Sequence, residues 1–278
     1  LGCSGETTTT FIQGGDCPYV AGSQLAAAEA FLSSHVGQVA LVTIDIGGDD
    51  ITGCASTKPP FPISSSCVAA AIATVSANLN TIGAGLRSAA GPSVPIIGMT
   101  YFDPFVVEWL SGSSGHTAAE TSVNDLGQLN AALSSTYSSF GARVADVAGA
   151  FSTTDFTDLV SSPYGTIPKN VALACSWLLV VCSTTSSVIV GVHPNAIGYG
   201  VVAGAFEAAL PASELASVVP PPASPSILPV PTLALTGFPA VAFGMLGVIA
   251  IALGTALVTI SRRQRGPGVH RGGIANQD

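Results

Sequence analysis

A short stretch in the last third of the chain reads VHPNAIGY, residues 192–199. His193 is followed by a proline, which fixes the backbone as it enters a predicted apolar helix over residues 199–210. A histidine held in a tight polar turn before a helix has little freedom to move, as a catalytic base requires. Taken alone, the same pattern also fits a surface histidine at a helix cap, so its meaning depends on the rest of the chain.

Strands and helices alternate along residues 1–210 in the manner of an α/β domain. Apolar and β-branched runs predict strands over residues 38–46, 94–101 and 143–148. Ala-rich runs predict helices over residues 22–34, 68–90 and 117–139, with Ser23 as the N-cap of the first. A short helix follows Asp103-Pro104, and the stretch around Cys175 and Cys182 reads as loop. This alternation predicts a parallel, doubly wound sheet, whose ligands bind at the carboxyl ends of the strands.

Two glycine turns supply the context for His193. Residues 1–8 read LGCSGETT, and a predicted strand is followed by GGDD at residues 47–50. Together with His193-Pro194-Asn195 these turns resemble, in order and spacing, the motifs of the SGNH (GDSL-type) hydrolase family. Gly5 matches the second motif of that family, residues 48–50 match the third, and His193 matches the fourth.

The resemblance implies a flavodoxin-like, doubly wound parallel sheet and ester hydrolysis by acyl transfer through a serine. By the same resemblance His193 is the general base, and the backbone N–H of Gly5 is an oxyanion donor. Asp49 stands at the position of the family's oxyanion asparagine. Ordinary turn residues are the alternative for Gly5 and Gly48.

Three departures from the family pattern bear on activity. The Gly-Asp-Ser turn is absent from the 278 residues, and Ser4 belongs to the oxyanion turn, so we assign no nucleophile. An ionised Asp49 accepts hydrogen bonds but cannot donate one, and loss of one oxyanion donor costs on the order of 10²–10³ in rate. The acid that usually precedes the histidine is replaced by Val190 and Gly191, although a backbone carbonyl can orient the ring instead. We therefore expect the chain to be inactive, with its first strands missing and Leu1 near the end of the second.

Four aromatic residues follow the second predicted strand: Tyr101, Phe102, Phe105 and Trp109. They either line an acyl pocket or, as is commoner for such residues, pack in the core.

Charge and cysteine content narrow the function further. Residues 1–230 carry a net charge of −11, which argues against nucleic acid as a partner, since phosphate contacts need Lys and Arg.

Six cysteines precede the apolar C-terminal segment and form local couples, Cys3 with Cys17, Cys54 with Cys67, and Cys175 with Cys182. None has zinc or redox-motif spacing, so we expect no metal and no cofactor. Disulfides in an oxidising compartment are the favoured interpretation, with buried free thiols as the alternative and 15 connectivities open.

The C-terminal quarter predicts a surface anchor. Residues 211–232 form a Pro-rich linker, and residues 238–260 carry no charge and are long enough to cross a bilayer as a transmembrane helix. The basic tail, residues 261–278, places the C-terminus in the cytoplasm. Residues 233–237 (LALTG) resemble the L-A-x-T-G sorting signal of actinobacterial surface proteins, which implies that sortase cleaves between Thr236 and Gly237 and joins the chain to the cell wall. An ordinary single-pass anchor and a buried core helix are the alternatives.

These observations favour an SGNH-type esterase or lipase on the extracellular face of the plasma membrane, or in the cell wall, of a Gram-positive (actinobacterial) cell. We expect its N-terminal part to be missing from the sequence, through either truncation of the reading frame or processing. Its substrate would be a small ester or lipid. The alternative is a catalytically inactive SGNH-like surface domain with a binding role. A plain membrane protein without enzymatic ancestry fits less well, because the motifs occur in order.

Overall fold

The computed structural model describes residues 1–55 and 63–211. The helices are α1 (Thr8–Gln13), α2 (Gln24–Ser34), α3 (Gly48–Thr52), α4 (Ser65–Ala90), α5 (Ser113–Ser139), α6 (Val147–Ala150), α7 (Lys169–Trp177) and α8 (Ala196–Ala208), with a 3-10 helix at Pro104–Ser111. The strands are β1 (Val42–Ile44), β2 (Ile96–Met99), β3 (Arg143–Ala145), β4 (Leu159–Ser162), β5 (Gly165–Pro168), β6 (Leu178–Cys182) and β7 (Ser187–Pro194).

The first three strands form a parallel sheet in the order β1-β2-β3. Ile44 pairs with Gly98 on one side of β2, and Gly98 pairs with Val144 on the other. All four residues of β2 are buried, as expected for the central strand of a parallel sheet that is covered on both faces. The mixed α/β architecture with a parallel sheet is therefore confirmed, although its strands are shorter than the apolar runs that predicted them.

Two apolar cores lie on opposite faces of this sheet. Ile96 packs in a core with residues of α2, α4 and α5, whereas its neighbour Ile97 packs in a second core with residues of the 3-10 helix, α7 and β6. Successive residues of a strand point to opposite faces, so this division follows from the pleat of β2.

Two antiparallel hairpins, β4-β5 and β6-β7, follow the parallel sheet. The interpretation of residues around Cys175 and Cys182 as loop was wrong, because that stretch holds α7 and β6. His193 lies at the end of β7 and not in a polar turn. The last helix begins at Ala196, three residues before the predicted start, because the Asn195 side chain accepts hydrogen bonds from the N–H groups of Ile197 (2.9 Å) and Gly198 (3.2 Å).

Other sequence features agree with the structure. Ser23 caps α2, with its hydroxyl accepting a hydrogen bond from the Ala26 N–H at 3.1 Å. The three expected disulfides are present, Cys3–Cys17, Cys54–Cys67 and Cys175–Cys182, and each closes a loop shorter than 15 residues. Short loops are the least costly to close in chain entropy.

Among the helices of the described ranges, α4 alone is long and apolar enough to cross a membrane. Its buried residues Val75, Leu79 and Ile82 belong to the first core, so we interpret α4 as a core helix. The predicted linker, sorting motif, membrane span and basic tail lie outside the described residues, apart from residue 211.

Candidate active site

A cavity of about 820 Å³ lies along β1 and beyond its carboxyl end. Its wall includes the N-terminal turn, β1 with the turn that follows, the loop after β2, and the junction of β7 with α8, together with residues of α2, α4 and α5. Gly5, Gly48, Asp49 and His193 all contribute to its wall. The cavity therefore brings together the residues that match the three family motifs, although they lie far apart in sequence.

His193 is exposed and is held by the residue pair that follows it. Pro194 is buried, and the Asn195 side-chain amide donates to the carbonyl of Ser176 at 2.8 Å, while its backbone N–H donates to the carbonyl of Trp177 at 2.8 Å. These bonds join the end of β7 to α7. The imidazole therefore stands on a fixed backbone at the cavity.

The other two histidines of the described ranges stack on aromatic rings elsewhere. His35 lies 4.1 Å from the Phe31 ring centroid, and His116 lies 3.8 Å from that of Trp109. Neither lines the cavity, so His193 is the one histidine on its wall within residues 1–55 and 63–211.

The N-terminal turn is tied to the turn after β1. Gly5 adopts a φ of +79°, a conformation that favours glycine. The Asp50 carboxylate accepts hydrogen bonds from the Thr8 backbone N–H at 2.8 Å and from the Thr8 hydroxyl at 2.6 Å. Asp50 thus has a structural role, and it holds the Gly5 turn beside Gly48 and Asp49.

Gly48 is packed closely against the Tyr101 ring. A Cβ at this position would lie 3.0 Å from the Tyr101 ring, whereas the positive φ of the turn, +112°, belongs to Gly47. The Tyr101 hydroxyl donates to an Asp45 carboxylate oxygen at 2.6 Å. The Asn130 side chain holds the Tyr101 backbone through two hydrogen bonds of 2.7 and 2.9 Å.

Asp49 lies in the first turn of α3, and its surroundings have opposing effects on the pKa of its carboxyl. Burial raises the pKa of its carboxyl, the positive charge of His193 opposes this rise, and Asp45 and Asp50 add to it. Asp49 and His193 both line the cavity, and Asp49 remains the candidate for the oxyanion position.

Two buried carboxyl groups of the cavity wall were missed by the sequence analysis. Asp103 is 3% exposed, and burial raises its pKa from 3.8 to about 6, with the Ser122 hydroxyl and the Phe105 N–H opposing the rise. Glu6 is 5% exposed, and its Oε1 has no hydrogen-bond partner among the described residues. Asp103 follows a buried strand and precedes a proline, and this pattern was available in the sequence.

The four aromatic residues that follow β2 divide between the two expected roles. Tyr101, Phe102 and Phe105 line the cavity. Trp109 instead stacks between His116 and Phe156, with its ring centroid 5.1 Å from that of Phe156. Tyr101 and Phe102 also pack in the apolar cores, so the two expected roles are not exclusive for these residues.

Metal ligation has little support in this region. Cys3, Glu6 and Cys17 form the one cluster of three potential ligands within the described parts of the chain. The two sulfur atoms are joined in a disulfide, so they cannot coordinate a metal as thiolates.

Comparisons with known proteins gave one likeness of interest. No protein-family model matches the chain, and no curated protein matches it. Among solved structures, the chain is similar to the phospholipase A1 from Streptomyces albidoflavus NA297, with 18% sequence identity and a TM-score of 0.43. The likeness covers 75% of this chain and 78% of that protein. Functional assignment therefore rests on the geometry of the cavity.

Proposed function

We propose that this domain belongs to an SGNH-type ester hydrolase of the cell surface, which transfers an acyl group from a carboxylic ester to water. The observation that carries this proposal is the single cavity that Gly5, Asp49 and His193 line together. Three motifs that resemble those of one family would rarely meet at one cavity if each match were accidental.

The wall of the cavity suggests the class of substrate. Its apolar residues, among them Phe102, Phe105 and Met99, suit an acyl chain. Its charged residues are carboxylates, including Glu6, Asp45 and Asp49, and no Lys or Arg of the described residues lines it. A negative cavity disfavours anionic substrates and repels a carboxylate product, so we propose a neutral ester.

In this proposal His193 takes the proton of the nucleophile and later returns one to the leaving alcohol. The backbone N–H of Gly5 donates to the developing oxyanion. Asp49 occupies the position of the family's oxyanion asparagine in this proposal, where its carboxylate can accept a hydrogen bond but cannot donate one.

The serine nucleophile of this proposal must come from a part of the polypeptide upstream of Leu1. Within residues 1–55 and 63–211, β1 pairs with β2 alone and is an edge strand, and residues 41–46 along it line the cavity. A further strand, paired in parallel with this edge, would end beside Gly48, because parallel strands share one carboxyl edge. We propose that an upstream strand of the same polypeptide occupies this position and carries the serine, and that the chain from Leu1 is inactive without it.

A catalytically inactive binding domain is the second candidate. It is favoured by Asp49, whose carboxylate at the oxyanion position would repel a developing negative charge. The same cavity would then bind a neutral ester or lipid without cleaving it.

Surface attachment is part of the proposal. The three disulfides support an oxidising, extracytoplasmic location. We propose that residues 238–260 anchor the domain in the membrane, with sortase cleavage after Thr236 or a permanent single-pass anchor as the two fates.

Hydrolysis of a short-chain chromogenic ester tests the proposal. In a polypeptide extended upstream to include the serine, His193→Ala should lower kcat by about 10²–10⁴. His35→Ala is the matched control and should leave kcat unchanged. The chain from Leu1 should hydrolyse the ester no faster than a control protein, and turnover that disappears on Ser4→Ala would identify Ser4 as the nucleophile instead.

A further inference from the structure

The β6-β7 hairpin presents an apolar face to solvent. Leu179 and Val181 of β6 are 46% and 58% exposed, and Val188 and Val190 of β7 are 58% and 70% exposed. Val181 pairs directly with Val188 across the hairpin. We call these four side chains the outer face of the hairpin.

Packing among the described residues does not account for the apolar character of this face. The alternate residues Val180 and Ile189 point inward and pack against the second core. The Ser187 hydroxyl adds a hydrogen bond of 3.1 Å to the buried carboxylate of Glu108. An antiparallel hairpin that packs one face on a core usually carries polar residues on the other. Here both faces are aliphatic.

The hairpin is firmly held and leads to the candidate active site. Its first strand is joined to α7 by the Cys175–Cys182 disulfide, and its turn is closed by a Ser183 N–H bond of 2.9 Å to the Ser186 carbonyl. Its second strand ends with His193 and Pro194. Just beyond it, Ile197 and Tyr199 are 61% and 54% exposed. Exposed apolar side chains therefore flank the proposed catalytic base on both sides in sequence.

The charge of the hairpin residues indicates which kind of surface the outer face contacts. Residues 178–194 contain no Asp, Glu, Lys or Arg, whereas residues 1–230 carry a net charge of −11. A protein that docks on anionic lipid places Lys and Arg around its apolar contact. This hairpin has none, and its turn is made of Ser and Thr, which tolerate a polar but uncharged interface.

We propose that the outer face of the hairpin docks on a zwitterionic lipid surface, with Val181 and Val190 entering the interface and His193 held close to it. The domain would then meet lipid esters where they are concentrated. Docking requires no turnover, so its failure would leave the proposed hydrolysis intact, and absence of hydrolysis would leave docking intact.

Site-specific labelling of the full chain tests this proposal. An environment-sensitive fluorophore is attached to Val181→Cys, with Val190→Cys as a second position in case the first variant does not fold. Val36→Cys is the matched control, since Val36 is a 77% exposed valine outside the hairpin. Each protein is reconstituted with phosphatidylcholine vesicles, and emission and quenching by aqueous iodide are measured.

The hairpin labels should shift to shorter wavelength and become at least about fivefold less accessible to iodide than the Val36 label. Equal access to iodide at all three positions would overturn the proposal. So would shielding that disappears when the protein is diluted into excess lipid, because the face would then be covered by a second copy of the chain.

Discussion

Replacement of Asp103 by Asn should stabilise the domain above pH 6. Asp103 is 3% exposed, and burial raises its pKa from 3.8 to about 6. At about 1.4 kcal/mol per pKa unit, this difference corresponds to about 3 kcal/mol. Between about pH 4 and pH 6 the unfolded state loses its proton first, so the free energy of unfolding falls as pH rises, and the loss is complete above pH 6.

Asparagine removes this titration while it keeps the cap of the 3-10 helix. The Asp103 Oδ1 accepts a hydrogen bond from the Phe105 N–H at 2.7 Å, and an asparagine oxygen can do the same. Urea unfolding of wild type and Asp103→Asn should therefore differ little at pH 3.5 and by up to about 3 kcal/mol, in favour of the variant, at pH 7.5. Because other carboxyl groups also titrate, the difference between the two proteins is the quantity to follow.

Glu120→Gln is the matched control, since Glu120 is exposed on α5. It should leave the free energy of unfolding nearly constant relative to wild type at both pH values. An Asp103→Asn variant that is less stable than wild type at pH 7.5 would refute the reasoning. It would mean that the buried carboxylate is compensated in the folded state.

Three further predictions concern the site and the sheet. In a polypeptide that supplies the serine, Asp49→Asn should raise kcat by about tenfold or more, because a hydrogen-bond donor replaces an acceptor at the oxyanion. A lower kcat would contradict this prediction and would mean that the Asp49 carboxylate instead stabilises the charged form of His193. The fragment of residues 1–230 should self-associate through the open edge of β1, and Val42→Lys should reduce this association in sedimentation velocity; a monomeric wild-type fragment that unfolds reversibly would refute the idea. Non-reducing peptide mapping should recover the three local cystines, and a Cys17–Cys54 peptide would contradict them.

The sequence predicted the meeting of Gly5, Asp49 and His193 because loops at the carboxyl ends of parallel strands lie at one edge of the sheet. It overestimated β1, where an apolar run over residues 38–46 contains a strand of three residues, Val42–Ile44. Apolar character reports burial, whereas strand bounds depend on pairing, and the partner β2 is itself short.

The β6-β7 hairpin was missed for a related reason. Its residues are apolar on both faces and lack the alternation that identifies a half-buried strand. The predicted start of α8 at residue 199 was three residues late, because Asn195 was not recognised as the N-cap. The state of Asp103 depends on packing between the loop after β2 and α5, which no local pattern reveals.

Binding of an ester analogue beside His193 tests the central claim most directly. An aliphatic methyl ketone such as 2-octanone has the shape of an ester but cannot be hydrolysed, so it can be titrated into the polypeptide extended upstream to include the serine while the histidine ring resonances are followed by NMR. We expect a saturable shift of the His193 resonances, with those of His35 and His116 unchanged. Saturating ketone that leaves His193 unmoved, or that shifts His116 as much, would contradict the assignment of this cavity as an ester site.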